Sequence, residues 1–67
     1  MKHTVRMGTV VHSFKRWDTM LNLYVVQRSR GTAEYVHTLR GEIIPGTEDI
    51  VEPSRIDGEG RYIPPSG

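Results

Sequence analysis

The sequence predicts a mainly all-β domain built on an antiparallel meander, and three observations point there. Over the first forty positions the apolar residues are β-branched or aromatic and are separated by short polar clusters. Beyond Gly41 the texture changes to prolines, glycines and acidic residues, the composition of turns and short irregular segments. With 67 residues and no cysteine, the chain has room for one small core and no disulfide framework to brace it. The expected organisation is a single β domain over residues 1–63, with a basic meander over 1–40 and an acidic, turn-rich segment over 41–63. A polyproline-like tail follows over 64–67.

Residues 5–14 form the first candidate strand. Val5 and Met7 share one parity and Val10, His12 and Phe14 the other, so a β-bulge at Gly8 would bring both sets to one face. Residues 15–19 read as a turn through Asp18 and Thr19. Residues 20–28 form the next strand, with Leu21, Leu23 and Val25 at period two as the predicted core face. Residues 33–40 complete the meander, Tyr35, His37 and Leu39 lying opposite in parity to Val36 and Thr38.

The loop between those two strands sets which aromatics are buried. A three-residue loop, Ser29-Arg30-Gly31, puts Leu21 opposite Leu39 and Val25 opposite Tyr35, and it is preferred because glycine suits its last position. A four-residue loop pairs Tyr24 with His37 and turns Tyr35 to the other face. Further on, Pro45-Gly46 predicts a type II turn. Thr47 either caps one helical turn before Pro53 or precedes a short strand over 49–52. Residues 55–63 read as a small hairpin around Asp57-Gly58. A strongly bent meander followed by shorter strands, at this length, suits a small barrel of the OB-like or Src-homology-like kind, an architecture that by itself carries no function.

Charge is divided along the chain. Residues 1–40 carry seven Lys/Arg against Asp18 and Glu34, a balance of +5, whereas residues 41–67 carry Arg55 and Arg61 against six acidic residues, a balance of −4. Such a division marks either a basic ligand-binding surface beside an acidic tail or two patches that meet within the fold or between subunits. A small core without cysteine adds to the expectation of a homo-oligomer. No 18-residue apolar run and no leader-like start is present, so neither a membrane span nor secretion is expected and the cytoplasm is the predicted compartment.

Catalytic chemistry is not expected. The sequence has no nucleophile elbow, zinc-protease helix, phosphate-binding glycine loop or dinucleotide fingerprint. His3, His12 and His37 lack ligand-like spacing, and His12 and His37 would approach only if their strands paired. Glu48, Asp49, Glu52, Asp57 and Glu59 lack the alternation of a calcium loop and read as a solvated face. No metal or cofactor is implied.

Binding chemistry is better represented. Lys15, Arg16 and Trp17 set two cations beside an indole at a predicted hairpin tip, and Arg28 and Arg30 flank the Gly31 turn. Cations neutralise phosphate and aromatic faces stack on bases. Tyr24 and Arg6 are second candidates. Against these stand plainer roles: Trp17 as a hydrophobic lid on the barrel end, and Arg28 and Arg30 as solvated turn residues or partners of Glu48, Asp49 or Glu52. The leading expectation is a non-enzymatic domain that binds an anionic ligand, nucleic acid or nucleotide, through its basic turns. The alternatives are a protein-interaction module or small inhibitor acting as a homo-oligomer through strand edges and the 63–65 arm, and an oligomer sequestering a phosphorylated nucleotide between subunits.

Overall fold

The computed structural model describes residues 8–65. Strands dominate, in two antiparallel sheets, with one short helix. The elements run β1 (Thr9–Val11), β2 (Phe14–Asp18), β3 (Leu23–Val26), α1 (Ala33–Thr38), β4 (Glu42–Ile43) and β5 (Asp49–Val51), followed by a 3₁₀ turn at Pro53–Arg55. β1 pairs with β5, and the second sheet has the order β3-β2-β4. No closed barrel forms among the described residues.

Several expectations are corrected. The single strand over 5–14 is instead two strands interrupted at His12 and Ser13, and Gly8 is an exposed residue ahead of β1 rather than a bulge. Val5 and Met7 lie outside the described residues. Residues 15–18 belong to β2, and the turn comes later, over residues 19–22. Asp18 explains the shift, because its carboxylate accepts the Met20 and Leu21 N–H groups and its carbonyl accepts Asn22 N–H. Asn22 closes the loop at φ 59°, a conformation asparagine tolerates better than most side chains.

The largest correction is at residues 33–38, which are helical, so neither register of the expected second hairpin exists. Thr32 caps the helix with its hydroxyl, which accepts Tyr35 N–H at 3.2 Å. At the other end Gly41 N–H reaches Val36 C=O and Arg40 N–H reaches His37 C=O. That is a Schellman closure with Arg40, at φ 60°, in the left-handed position usually held by glycine. One helical turn places Val36 inward and Tyr35 edge-on to Phe14, their ring centres 6.0 Å apart.

The interior consists of Val11, Phe14 and Val36. Leu21 and Leu23, expected in the core, are 61% and 48% exposed, and Val25 is half-buried. Opposed residues of an antiparallel pair share a face, so Phe14, Arg16, Val25 and Ile43 lie on one side of the larger sheet and Lys15, Trp17, Tyr24, Val26 and Glu42 on the other. The helix covers only the Phe14 end of the first side.

Two turn-level expectations match, and at Thr47 the strand alternative replaces the helical turn. Gly46 stands at φ 82°, as the second central residue of a type II turn requires. Thr47 heads a strand rather than a helical turn, and its hydroxyl donates to Ile44 C=O while accepting Ser13 N–H. Ile56 bridges Tyr62 around Asp57. Pro64 and Pro65 are exposed, and the rest of the expected tail lies outside the described residues.

Candidate functional site

Gly31 is the junction on which the candidate site is built. Its backbone pairs with His12 on one side and with Arg61 on the other. His12 and Gly31 exchange both backbone hydrogen bonds, while Thr32 N–H reaches Gly60 C=O and Tyr62 N–H reaches Arg30 C=O. No side chain fits here: a Cβ on Gly31 would run into the Tyr35 ring. This lacing carries the 55–63 hairpin to the segment after β3, so residues distant in sequence become neighbours.

The result is a cleft of about 370 Å³ lined by Arg28, Ser29, Arg30, Arg61, Tyr62 and neighbouring Ile63 and Pro64. Arg30 lies over the Tyr62 ring, 4.9 Å from its centre, and its Nη1 is 3.1 Å from the Asp49 carboxylate. Arg61 Nε is 3.5 Å from Asp57. Arg28 has no ion pair among the described residues. The lining thus has three arginines, two of them paired with carboxylates, and Tyr62, Ile63 and Pro64 add an apolar wall.

Asp57 holds the far side of the cleft in shape. One of its oxygens accepts the N–H groups of Glu59, Gly60 and Arg61. The Arg61 and Glu59 N–H bonds, foremost, hold its carboxyl below the usual carboxylate range. Arg30–Asp49 is one of two ion pairs, with Lys15–Glu42, that join the basic and acidic halves of the chain, so the sequence's plainer reading for Arg30 is also present in the structure.

The second cluster lies on the open side of the larger sheet. Trp17 and Tyr24 are cross-strand partners packed edge to face, 5.2 Å between ring centres, and each is nearly half exposed. Lys15 Nζ stands 4.8 Å from the Tyr24 ring centre and 3.9 Å from Glu42. The Tyr24 hydroxyl donates to Glu42 at 2.8 Å, and this bond together with the carboxylate's charge raises the phenol's pKa above its ordinary value. Trp17 is thus a surface residue of an open face rather than a lid on a barrel end. Lys15 and Glu42 offset each other here, while Arg16 projects from the opposite side of β2.

The predicted residues therefore do not form one site: Arg28 and Arg30 line the cleft, Lys15, Trp17 and Tyr24 share one face of the sheet, and Arg16, alone among them, stands on its other face. Arg6 lies outside the described residues. Arg61 and Tyr62 were missed by sequence reasoning. Their hairpin was legible, but its pairing to Gly31 joins residues thirty positions apart and leaves no local signal. His37 sits on α1, exposed, and the strand pairing that would have brought it to His12 does not exist. Among the described residues no group of three His, Asp or Glu side chains could hold a metal ion. None of their helices is long and apolar enough to cross a membrane. No family model, curated protein or solved structure matches this chain.

Proposed function

We propose that this is a non-enzymatic binding domain that takes a phosphate-bearing ligand, nucleic acid or nucleotide, in the cleft between Arg28, Arg30 and Arg61. One observation carries the reading: three arginines line a concave site beside an aromatic ring, and one of the three, Arg28, has no ion pair among the described residues. Guanidinium groups bind phosphate by charge-assisted, often bidentate hydrogen bonds. Tyr62 and the Ile63-Pro64 wall offer a base or sugar an apolar surface beside that charge. Asp49 and Asp57 hold Arg30 and Arg61 in place, which lowers the ordering cost of binding.

The test is a titration with single-stranded oligothymidylate and, separately, with a nucleoside triphosphate, at low and high salt, on the unaltered protein and on Arg28→Glu. Arg28 is exposed and has no ion pair among the described residues, so this variant leaves the fold intact. Binding should weaken with salt at a log–log slope of about −2 for the oligonucleotide, the expectation for three phosphate contacts on a single strand. Arg28→Glu should lose about ten-fold or more in affinity, the worth of one charge-assisted contact. Equal, salt-insensitive binding by both proteins, or no binding by either at low salt, rejects the proposal.

A further inference from the structure

Among the described residues the outer edge of β3 is unpaired, and its sequence does nothing to protect it. Edge strands are commonly blunted by lysine, proline or a bulge, whereas Leu23-Tyr24-Val25-Val26 has none of these and exposes Leu23, Tyr24 and Val26. The direction of its backbone groups follows from the ladder. Gln27 N–H bonds to Phe14 C=O, so Gln27, Val25 and Leu23 turn their backbone groups toward β2. Alternation sends the N–H and C=O of Tyr24 and Val26 outward. The β4 side agrees, since Ile44 N–H takes Ser13 C=O and odd-numbered residues of β2 face β4.

We propose that this edge pairs with the same edge of a second copy, antiparallel, about a two-fold axis through Val25. In that register Tyr24 lies opposite Val26 of the other copy and the reverse, so every outward N–H meets an outward C=O and four backbone hydrogen bonds form. Tyr24 and Val26 share a face, and an aromatic–β-branched cross-strand pair is favourable. Charge fits the antiparallel arrangement. No charged residue lies between Leu23 and Gln27; Asp18, the last residue of β2, is paired with Leu23 and so flanks the start of β3, and Arg28, which has no ion pair among the described residues, lies just past its end. Antiparallel pairing sets the acidic end of one copy beside the basic end of the other, where parallel pairing would bring like charges together. The product is a continuous six-stranded sheet, which closes one exposed edge in each copy. It stands independently of the anion reading, because no residue of the pairing strands lines the arginine cleft.

Sedimentation of the full chain over a range of concentrations, together with two single-cysteine variants, tests this. The chain has no cysteine of its own, so Val25→Cys should form a disulfide-linked dimer on oxidation, its two sulfurs facing across the axis at a separation a disulfide spans. Leu23→Cys should not, since the two Leu23 positions lie four strand residues apart, about 13 Å. Val26→Pro removes two of the four backbone bonds without touching the β2 ladder, and should weaken dimerisation about ten-fold or more while circular dichroism stays unchanged. A monomer at every concentration, equal cross-linking of both cysteine variants, or a Val26→Pro protein that dimerises normally overturns the proposal.

Discussion

The junction around Gly31 and the outer β2–β3 hairpin are built by opposite means. The junction has few apolar residues but is laced by backbone hydrogen bonds from His12, Arg30, Thr32, Gly60 and Tyr62, with Phe14, Val36 and Tyr35 packed against it. The hairpin is rich in apolar residues and leaves them in solvent: Met20, Leu21, Leu23 and Val26 are all exposed. Alternation makes a strand, but burial needs a second layer, and α1 covers just the Phe14 end of the sheet. Apolar pattern and core are thus separate facts in a chain this small.

Substitutions should sharpen that contrast, and the largest effect belongs to the core. Phe14→Ala should cost about 3–5 kcal/mol, enough to unfold a domain of this size, whereas Leu21→Ala and Leu23→Ala should each cost less than about 1 kcal/mol because those side chains already face water. Denaturant melts of the three variants check this; a Leu23→Ala loss as large as that of Phe14→Ala would break the distinction. Gly31→Ala forces the Tyr35 ring aside and should cost about 1–3 kcal/mol, read from the same melts.

Acid should release the Asp57 turn beside the junction. The Asp57 carboxyl is held below its ordinary value of 3.8 by the N–H groups of its turn. Its folded pKa is depressed, so the stability it contributes is present above that ordinary value and is lost as pH falls through the folded pKa. A pH series should show Glu59, Gly60 and Arg61 amides shifting together below about pH 4, and Asp57→Asn should abolish the shared titration. Separate titrations of the three amides in the unaltered protein would contradict the turn's geometry. The smallest effect is a gain: Arg40→Gly relieves the left-handed conformation at the helix end and should stabilise by up to about 1 kcal/mol, measured as a raised Tm.

What the sequence makes legible is what short-range chemistry decides. Pro45-Gly46 and Asp57-Gly58 specify their turns from two or three residues, and the divided charge anticipates a meeting of the halves, realised as Arg30 with Asp49. Residues 33–38 misled because Tyr35, His37 and Leu39 alternate as a strand would, while the helix rests on a single threonine cap and a closure that puts arginine where glycine is usual. A capping box would have announced it, but the third residue after Thr32 is Tyr35 rather than Glu or Gln. Half of the candidate site, Arg28 and Arg30, was readable as two cations about a glycine. The other half, Arg61 and Tyr62, arrives through a tertiary pairing that no window of neighbouring residues encodes.

The proposed function stands or falls on where a phosphate-bearing ligand sits, and the arginine cleft is the proposed place. Amide chemical-shift mapping during a titration with single-stranded oligothymidylate at low salt tests it most directly. Saturable shifts confined to residues 28–31 and 61–63 are expected, with the Trp17 and Tyr24 amides unmoved. Shifts centred on Trp17 and Tyr24 with residues 28–31 silent, or no saturable shift anywhere, would contradict it.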